Sequence, residues 1–158
     1  MLDLGTSFVA SVARDPRATA IVDGDVRLTY REWYRHISAL VASFDRLGLE
    51  PGDHLVTVLQ NRWEAATVHW ACQLAGIIIT PLNWRSTADE LDFCLDDAQA
   101  KALVYEPASA STRGRASGAS AACMDSRARS DAPGSPTAMR ARSRAAAEPR
   151  TASAETGS

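Results

Sequence analysis

Lysine is nearly missing from this 158-residue chain: Lys101 stands alone against 16 arginines. Cysteine is scarce as well. Cys72, Cys94 and Cys123 are odd in number, unevenly spaced and without a C-x-x-C pair. That excludes a disulfide framework and favours a reducing compartment. The first ten residues carry Asp3 and no basic stretch ahead of an apolar run, so no signal peptide is expected. The most apolar run, Ala75–Leu82, is too short to span a bilayer. A cytoplasmic protein with no membrane partner is the expectation.

The sharpest absence is regional. Residues 107–158 contain no Leu, Ile, Val, Phe, Tyr or Trp, and 45 of those 52 residues are Ala, Ser, Arg, Gly, Pro or Thr. Alanine brings little apolar area to a core, so the core is expected from residues 1–106, enough for a small domain of marginal stability. Charge divides at the same place. Residues 1–106 hold 15 acids against 9 bases, and residues 107–158 hold 8 arginines against 4 acids. An acidic folded part argues against nucleic acid as a partner there.

In the first part, Ala20–Asp23 and Val26–Thr29 flank Gly24 as a hairpin. Thr29-Tyr30-Arg31-Glu32 is a capping box, and Trp33, Ile37, Leu40, Val41, Phe44 and Leu47 then recur at helical spacing. Gly48 fits the end of that helix, and Pro51-Gly52-Asp53 makes a turn. His54–Leu59 reads as a strand buried on both faces. A second helix is expected from Asn61-Arg62-Trp63-Glu64 to about Leu74, with Gly76 as its stop. Ile77–Thr80 follows as a strand ended by Pro81, then a helix capped by Thr87 and Glu90 and carrying Leu91, Cys94 and Leu95, then a strand over Ala102–Tyr105.

This alternation predicts an α/β fold: a partial, doubly wound parallel sheet with flanking helices and an open edge. Residues 107–158 show neither strand nor helix periodicity and are expected to be a disordered tail, in which Ala138–Ala147 forms a transient helix at most.

Several residue patterns invite a sharper reading. His69 and Cys72 share a helical spacing that could face a metal, but two ligands make no zinc site, so no metal site is assigned. His36 and His54 are isolated and expected on the surface. Trp33, Trp63, Trp70 and Trp84 are expected to pack rather than stack a ligand. Asp89, Glu90, Asp92, Asp96 and Asp97 read as the solvated face of a helix.

Taken in order, Ala20-Ile21-Val22-Asp23-Gly24 and Leu28-Thr29-Tyr30-Arg31-Glu32-Trp33 resemble the opening of the adenylate-forming, acyl-CoA synthetase-like (AMP-binding) superfamily. Leu47-Gly48-Leu49-Glu50-Pro51-Gly52-Asp53 is similar to its L-G-(V/L)-x-x-G-D, and Asn61 with Glu64 to its N-x-x-E. Ala75-Gly76-Ile77 with Pro81-Leu82-Asn83 and then Thr87-Ala88-Asp89-Glu90-Leu91 continue the series. The resemblance covers residues 3–106. It implies a parent enzyme, an AMP-dependent acid–CoA ligase in fatty-acid-type metabolism, that joins a carboxylic acid to ATP with Mg²⁺; in the family the acyl group then usually passes to CoA. The acid itself, and whether CoA or a carrier protein accepts it, are not implied, and neither is an oligomeric state.

The family's phosphate loop ending in P-K-G, its later T-E segment, its ribose-binding Asp and its C-terminal lysine have no counterpart here. Ser111–Gly118 is only superficially loop-like. No catalytic residue carries over, and no cofactor is expected on this chain alone. One transfer is open: Arg85, just after Pro81-Leu82-Asn83, stands where an arginine of some CoA ligases lies near the nucleotide phosphate of CoA, the alternative being a solvated loop residue ahead of the helix cap. The expectation is therefore an N-terminal fragment, residues 1–106, inactive alone, with residues 107–158 translated out of frame. Two alternatives stand beside it: a small α/β module whose Arg-rich arm binds polyanions, and an interaction partner of a full-length ligase.

Overall fold

In the computed structural model, residues 4–112, 119–124 and 139–142 are described. They form helix α1 (Leu4–Arg14), hairpin strands β1 (Thr19–Asp23) and β2 (Val26–Thr29), α2 (Tyr30–Arg46), β3 (His54–Val58), α3 (Trp63–Ala75), β4 (Ile78–Leu82), α4 (Ala88–Asp97) and β5 (Ala102–Tyr105). A 3₁₀ turn (Pro107–Thr112) and strands β6 (Ser120–Met124) and β7 (Met139–Arg142) follow. The hairpin is a sheet of its own. The main sheet has the order β4-β3-β5-β6-β7, parallel from β4 to β6 and antiparallel at β7.

Local sequence accounts for most of these elements. Both expected capping boxes form. Thr29 Oγ1 accepts from the Glu32 N–H while Glu32 Oε2 accepts from the Thr29 N–H, and Thr87 and Glu90 repeat the exchange. Gly48 and Gly76 take positive φ just beyond α2 and α3, where a side chain would be strained. The second helix differs from its expected start. Its N-cap is Arg62, which makes no side-chain capping bond.

Pro81 lies inside β4 rather than ending it, because β4 is an edge strand and one side of its backbone needs no ladder partner. Helix α1 was not expected. Phe8 accounts for it, buried against the rings of Tyr30, Trp33, Tyr34 and Trp70, with centroids 4.7–6.4 Å away.

The sheet is covered on both faces, which is what doubly wound means physically. Leu55, Ala102 and Val104 point into one core with Ile37, Leu40 and Phe44 of α2 and Val68, Ala71 and Cys72 of α3. Val56, Val58, Leu103 and Tyr105 point into a second core with Leu91 and Leu95 of α4. The alternation is the period of two of an extended strand, and burial on both faces explains the near-continuous apolar runs of β3 and β5.

The expectation that nothing after residue 106 would join the sheet is corrected at three places. The 3₁₀ turn forms, β6 pairs in register with β5, and β7, within the stretch expected as a transient helix, pairs with β6. Parallel pairing uses backbone groups that every residue carries, and the small Ala122 and the thioether of Met124 are both buried. The rest of 107–158 lies outside the described residues.

Candidate site at the sheet switch point

The chain leaves β3, passes through α3 and returns as β4 on one side; it then passes through α4 and returns as β5 on the other side of β3. Strand order therefore reverses between β3 and β5. In open α/β sheets the crevice outside the carboxyl ends of the strands at such a point is where ligands bind.

A small crevice lies there, lined by Leu59, Gln60, Arg62, Glu64, Glu106 and Met124. Each lining residue comes from a segment leaving a strand or entering a helix. Leu59 and Gln60 follow β3, Arg62 and Glu64 open α3, Glu106 follows β5 and Met124 ends β6. The Gln60 N–H donates to Glu106 Oε1 at 2.5 Å, tying the loops after β3 and β5 together. Glu64 and Glu106 are both buried. Glu64 sits in the first turn of α3, where the helix dipole favours a negative charge. Asp23, the last residue of β1, accepts from the Trp63 N–H at 3.0 Å.

Arg85, for which the sequence resemblance raised a phosphate contact, lies on the same edge of the sheet but outside the crevice lining. Its loop is an Asx turn, with the Arg85 N–H donating to Asn83 Oδ1 at 3.0 Å. Its guanidinium lies 4.6 Å over the Trp84 ring, a cation–π contact that leaves the exposed charge open to solvent. Ser109 Oγ donates to the Trp84 carbonyl at 3.4 Å, so the 3₁₀ turn braces this loop.

Lys101 is at the opposite end of the sheet. Its Nζ pairs with Asp53 at 2.8 Å, ahead of β5 and β3. The Lys101 hydrogen bond holds the Asp53 carboxyl below the usual carboxylate range, and Asp53 in turn raises Lys101.

The other candidate groups are separated. Cys72 is fully buried, and burial pushes its thiol up to about 12, while His69 is exposed against the edge of Trp70. His36 corrects its expected exposure: it is half-buried, edge-on to Trp63 at 5.3 Å, and desolvation lowers its pKa. Trp33 is buried, with its Nε1–H donating to Thr67 Oγ1 at 2.9 Å. Most of the acidic run on α4 is exposed, and Glu90 serves the capping box. Among the described residues no helix is long and apolar enough to cross a membrane.

Sequence reasoning named Glu64, through its N-x-x-E spacing, but not Gln60 or Glu106. Their bond spans 46 residues, and no short pattern signals it.

Known proteins agree with this architecture. Over 109 residues the chain is 34% identical to a feruloyl-CoA synthase of Amycolatopsis sp, covering 69% of this chain and 22% of that one. It is 45% identical over 58 residues to a salicylyl-CoA synthase / salicylate adenylyltransferase of Streptomyces sp, covering 37% of this chain and 10% of that one. A Mycobacterium tuberculosis fatty acyl CoA synthetase shares its fold, with a TM-score of 0.72 at 22% identity over 79% of this chain and 26% of that one. The chain thus spans about a fifth of the length of the feruloyl-CoA synthase it matches. The model of the AMP-binding enzyme family matches residues 8–156, and the chain belongs to that family.

Proposed function

We propose that this chain is the opening part of the large domain of an AMP-forming acid–CoA ligase, and that these 158 residues alone do not catalyse the reaction. The parent reaction has two steps. A carboxylate attacks the α-phosphorus of ATP, giving an acyl-adenylate and pyrophosphate; the CoA thiol then displaces AMP to give a thioester. The relatives named above act, by their names, on feruloyl and salicylyl acids, so an aromatic carboxylic acid is the first substrate to try.

One observation carries the claim of inactivity. Stabilising the charge that develops on the phosphates needs aimed donors and cations; the chain's single lysine is held by Asp53 at the edge away from the crevice, and in the crevice lining Arg62 stands beside two buried carboxylates, Glu64 and Glu106. The described crevice residues, two buried carboxylates beside one arginine, do not fit the negatively charged triphosphate of ATP, and no step is assigned to them. Their role is scaffold: a doubly wound sheet whose switch-point crevice forms one wall of the parent site.

Arg85 is proposed to meet a phosphate of CoA, since an exposed guanidinium suits bidentate phosphate contact. Titrating CoA into the labelled chain should shift the Arg85 Nε resonance, and an unmoved resonance removes that role.

We read residues 1–106 as the ligase part and residues 107–158 as a stretch translated out of frame, on the strength of its composition. The family match running on to residue 156, and β6 pairing in register with β5 and burying Met124 in the core, weigh on the other side. Sequencing the encoding DNA through and beyond codon 106 tests parent and frame together. A second frame that soon encodes a Ser/Thr/Gly-rich loop ending in P-K-G supports both. If no frame encodes that loop, the proposed parent reaction fails.

A further inference from the structure

We propose that the β1–β2 hairpin is a strap on the crevice helix, with Asp23 as the positioning residue that caps α3 from 40 residues away. The first N–H groups of any helix lack partners inside it. At α3 the local N-cap, Arg62, supplies no side-chain acceptor. The acceptor comes instead from Asp23 Oδ2, 3.0 Å from the Trp63 nitrogen. A carboxylate suits this place twice over, as an acceptor and as a negative charge at the positive end of the helix dipole.

Trp63 is also gripped from a second side. Its ring meets His36 of α2 edge-on, with centroids 5.3 Å apart. The turn so held is the one that brings Arg62 and Glu64 to the crevice. The hairpin shares no backbone ladder with the main sheet. Asp23 is thus a discrete link through which hairpin and crevice move together. A ligand that displaces the first turn of α3 must carry the hairpin with it or break this bond. The inference stands apart from the proposed reaction and is read without any catalytic activity.

The test uses the full chain. In the wild type, a through-hydrogen-bond scalar coupling between the Trp63 amide nitrogen and the Asp23 carboxyl carbon should be detectable, and its absence in a spectrum that resolves other such couplings overturns the inference. Asp23→Ala should speed amide exchange about five- to tenfold at Trp63, Glu64 and Ala65, the size of a lost helix cap, while Val56 and Leu103 keep their protection. Asp23→Asn retains a side-chain carbonyl and should keep most of the protection. Unchanged exchange in Asp23→Ala, a uniform increase across the sheet, or equal loss in Asp23→Asn each contradict the strap. If Asp23→Ala does not fold, the wild-type coupling and Asp23→Asn decide.

Discussion

The Gln60 N–H and the Glu106 carboxylate meet at 2.5 Å across the switch point, one residue from β5 and two from β3. Glu106 is buried and the Gln60 N–H is partly buried, so removing the carboxylate leaves a half-buried donor without its acceptor. Glu106→Ala is expected to lower unfolding free energy by about 1–3 kcal/mol. Glu106→Gln keeps an acceptor and should lose less. Urea unfolding followed by tryptophan fluorescence compares the two, and an alanine variant as stable as wild type refutes the role given to this bond.

Gly76 ends α3 at φ 70°, and a Cβ built there would sit 3.2 Å from Pro51 Cβ. Its carbonyl also accepts from the Gly52 N–H at 2.8 Å, so the turn is held closely against the 51–53 loop. Gly76→Ala should cost about 1–2 kcal/mol from the left-handed backbone alone, with the Pro51 contact adding to it. Gly48 has similar φ and open space around it, so Gly48→Ala should cost less. Equal losses would show that the Pro51 approach does not matter.

The Asp53–Lys101 pair sets a pH dependence of known sign. The folded Asp53 value is depressed, so its contribution is present above the ordinary carboxylate pKa of about 3.9 and is lost as pH falls through the lower folded value. The folded Lys101 value is raised, so its contribution is complete below about 10.4 and is lost as pH rises through the higher folded value. Lys101→Ala should move the Asp53 carboxyl titration upward in a carbon-detected NMR experiment. The Lys101 side chain is 54% exposed, so added salt should weaken the pair. An Asp53 titration indifferent to the substitution contradicts the pairing.

Strand β6 makes the stretch after residue 106 part of the folded unit. Ala122 and Met124 are buried, and Met124 belongs to the same core as Phe44 and Leu55. A chain stopped after residue 106 bares the edge of β5, an invitation to aggregation. A chain stopped after residue 124 keeps that pairing. Static light scattering and thermal unfolding should show the shorter chain associating and melting earlier. Indistinguishable behaviour would remove β6 from the fold's requirements.

Features with short-range causes were legible in the sequence. The boxes Thr29–Glu32 and Thr87–Glu90 close over three residues, and the apolar face from Trp33 to Phe44 repeats within one helix. Burial of β3 and β5 on both faces showed as near-continuous apolar runs, and with the alternation of strands and helices these pointed to the doubly wound sheet. Features held by distant partners were not legible. Helix α1 depends on where Phe8 finds Trp33 and Trp70. Strand β6 carries no β-branched or aromatic residue and is ordered by the backbone of β5. The crevice joins Glu106 to Gln60 and Asp23 to Trp63, pairs 46 and 40 residues apart, so only the fold brings its parts together.

The most direct measurement is carboxylate-dependent exchange of labelled pyrophosphate into ATP by the purified 158-residue chain, with ferulate and salicylate as the first acids and Mg²⁺ present. No exchange above a protein-free blank is expected, because Lys101 is engaged by Asp53 and the sequence holds no Ser/Thr/Gly-rich loop ending in P-K-G. Clear acid-dependent exchange would contradict the reading of this chain as scaffold and place a working adenylation site within it.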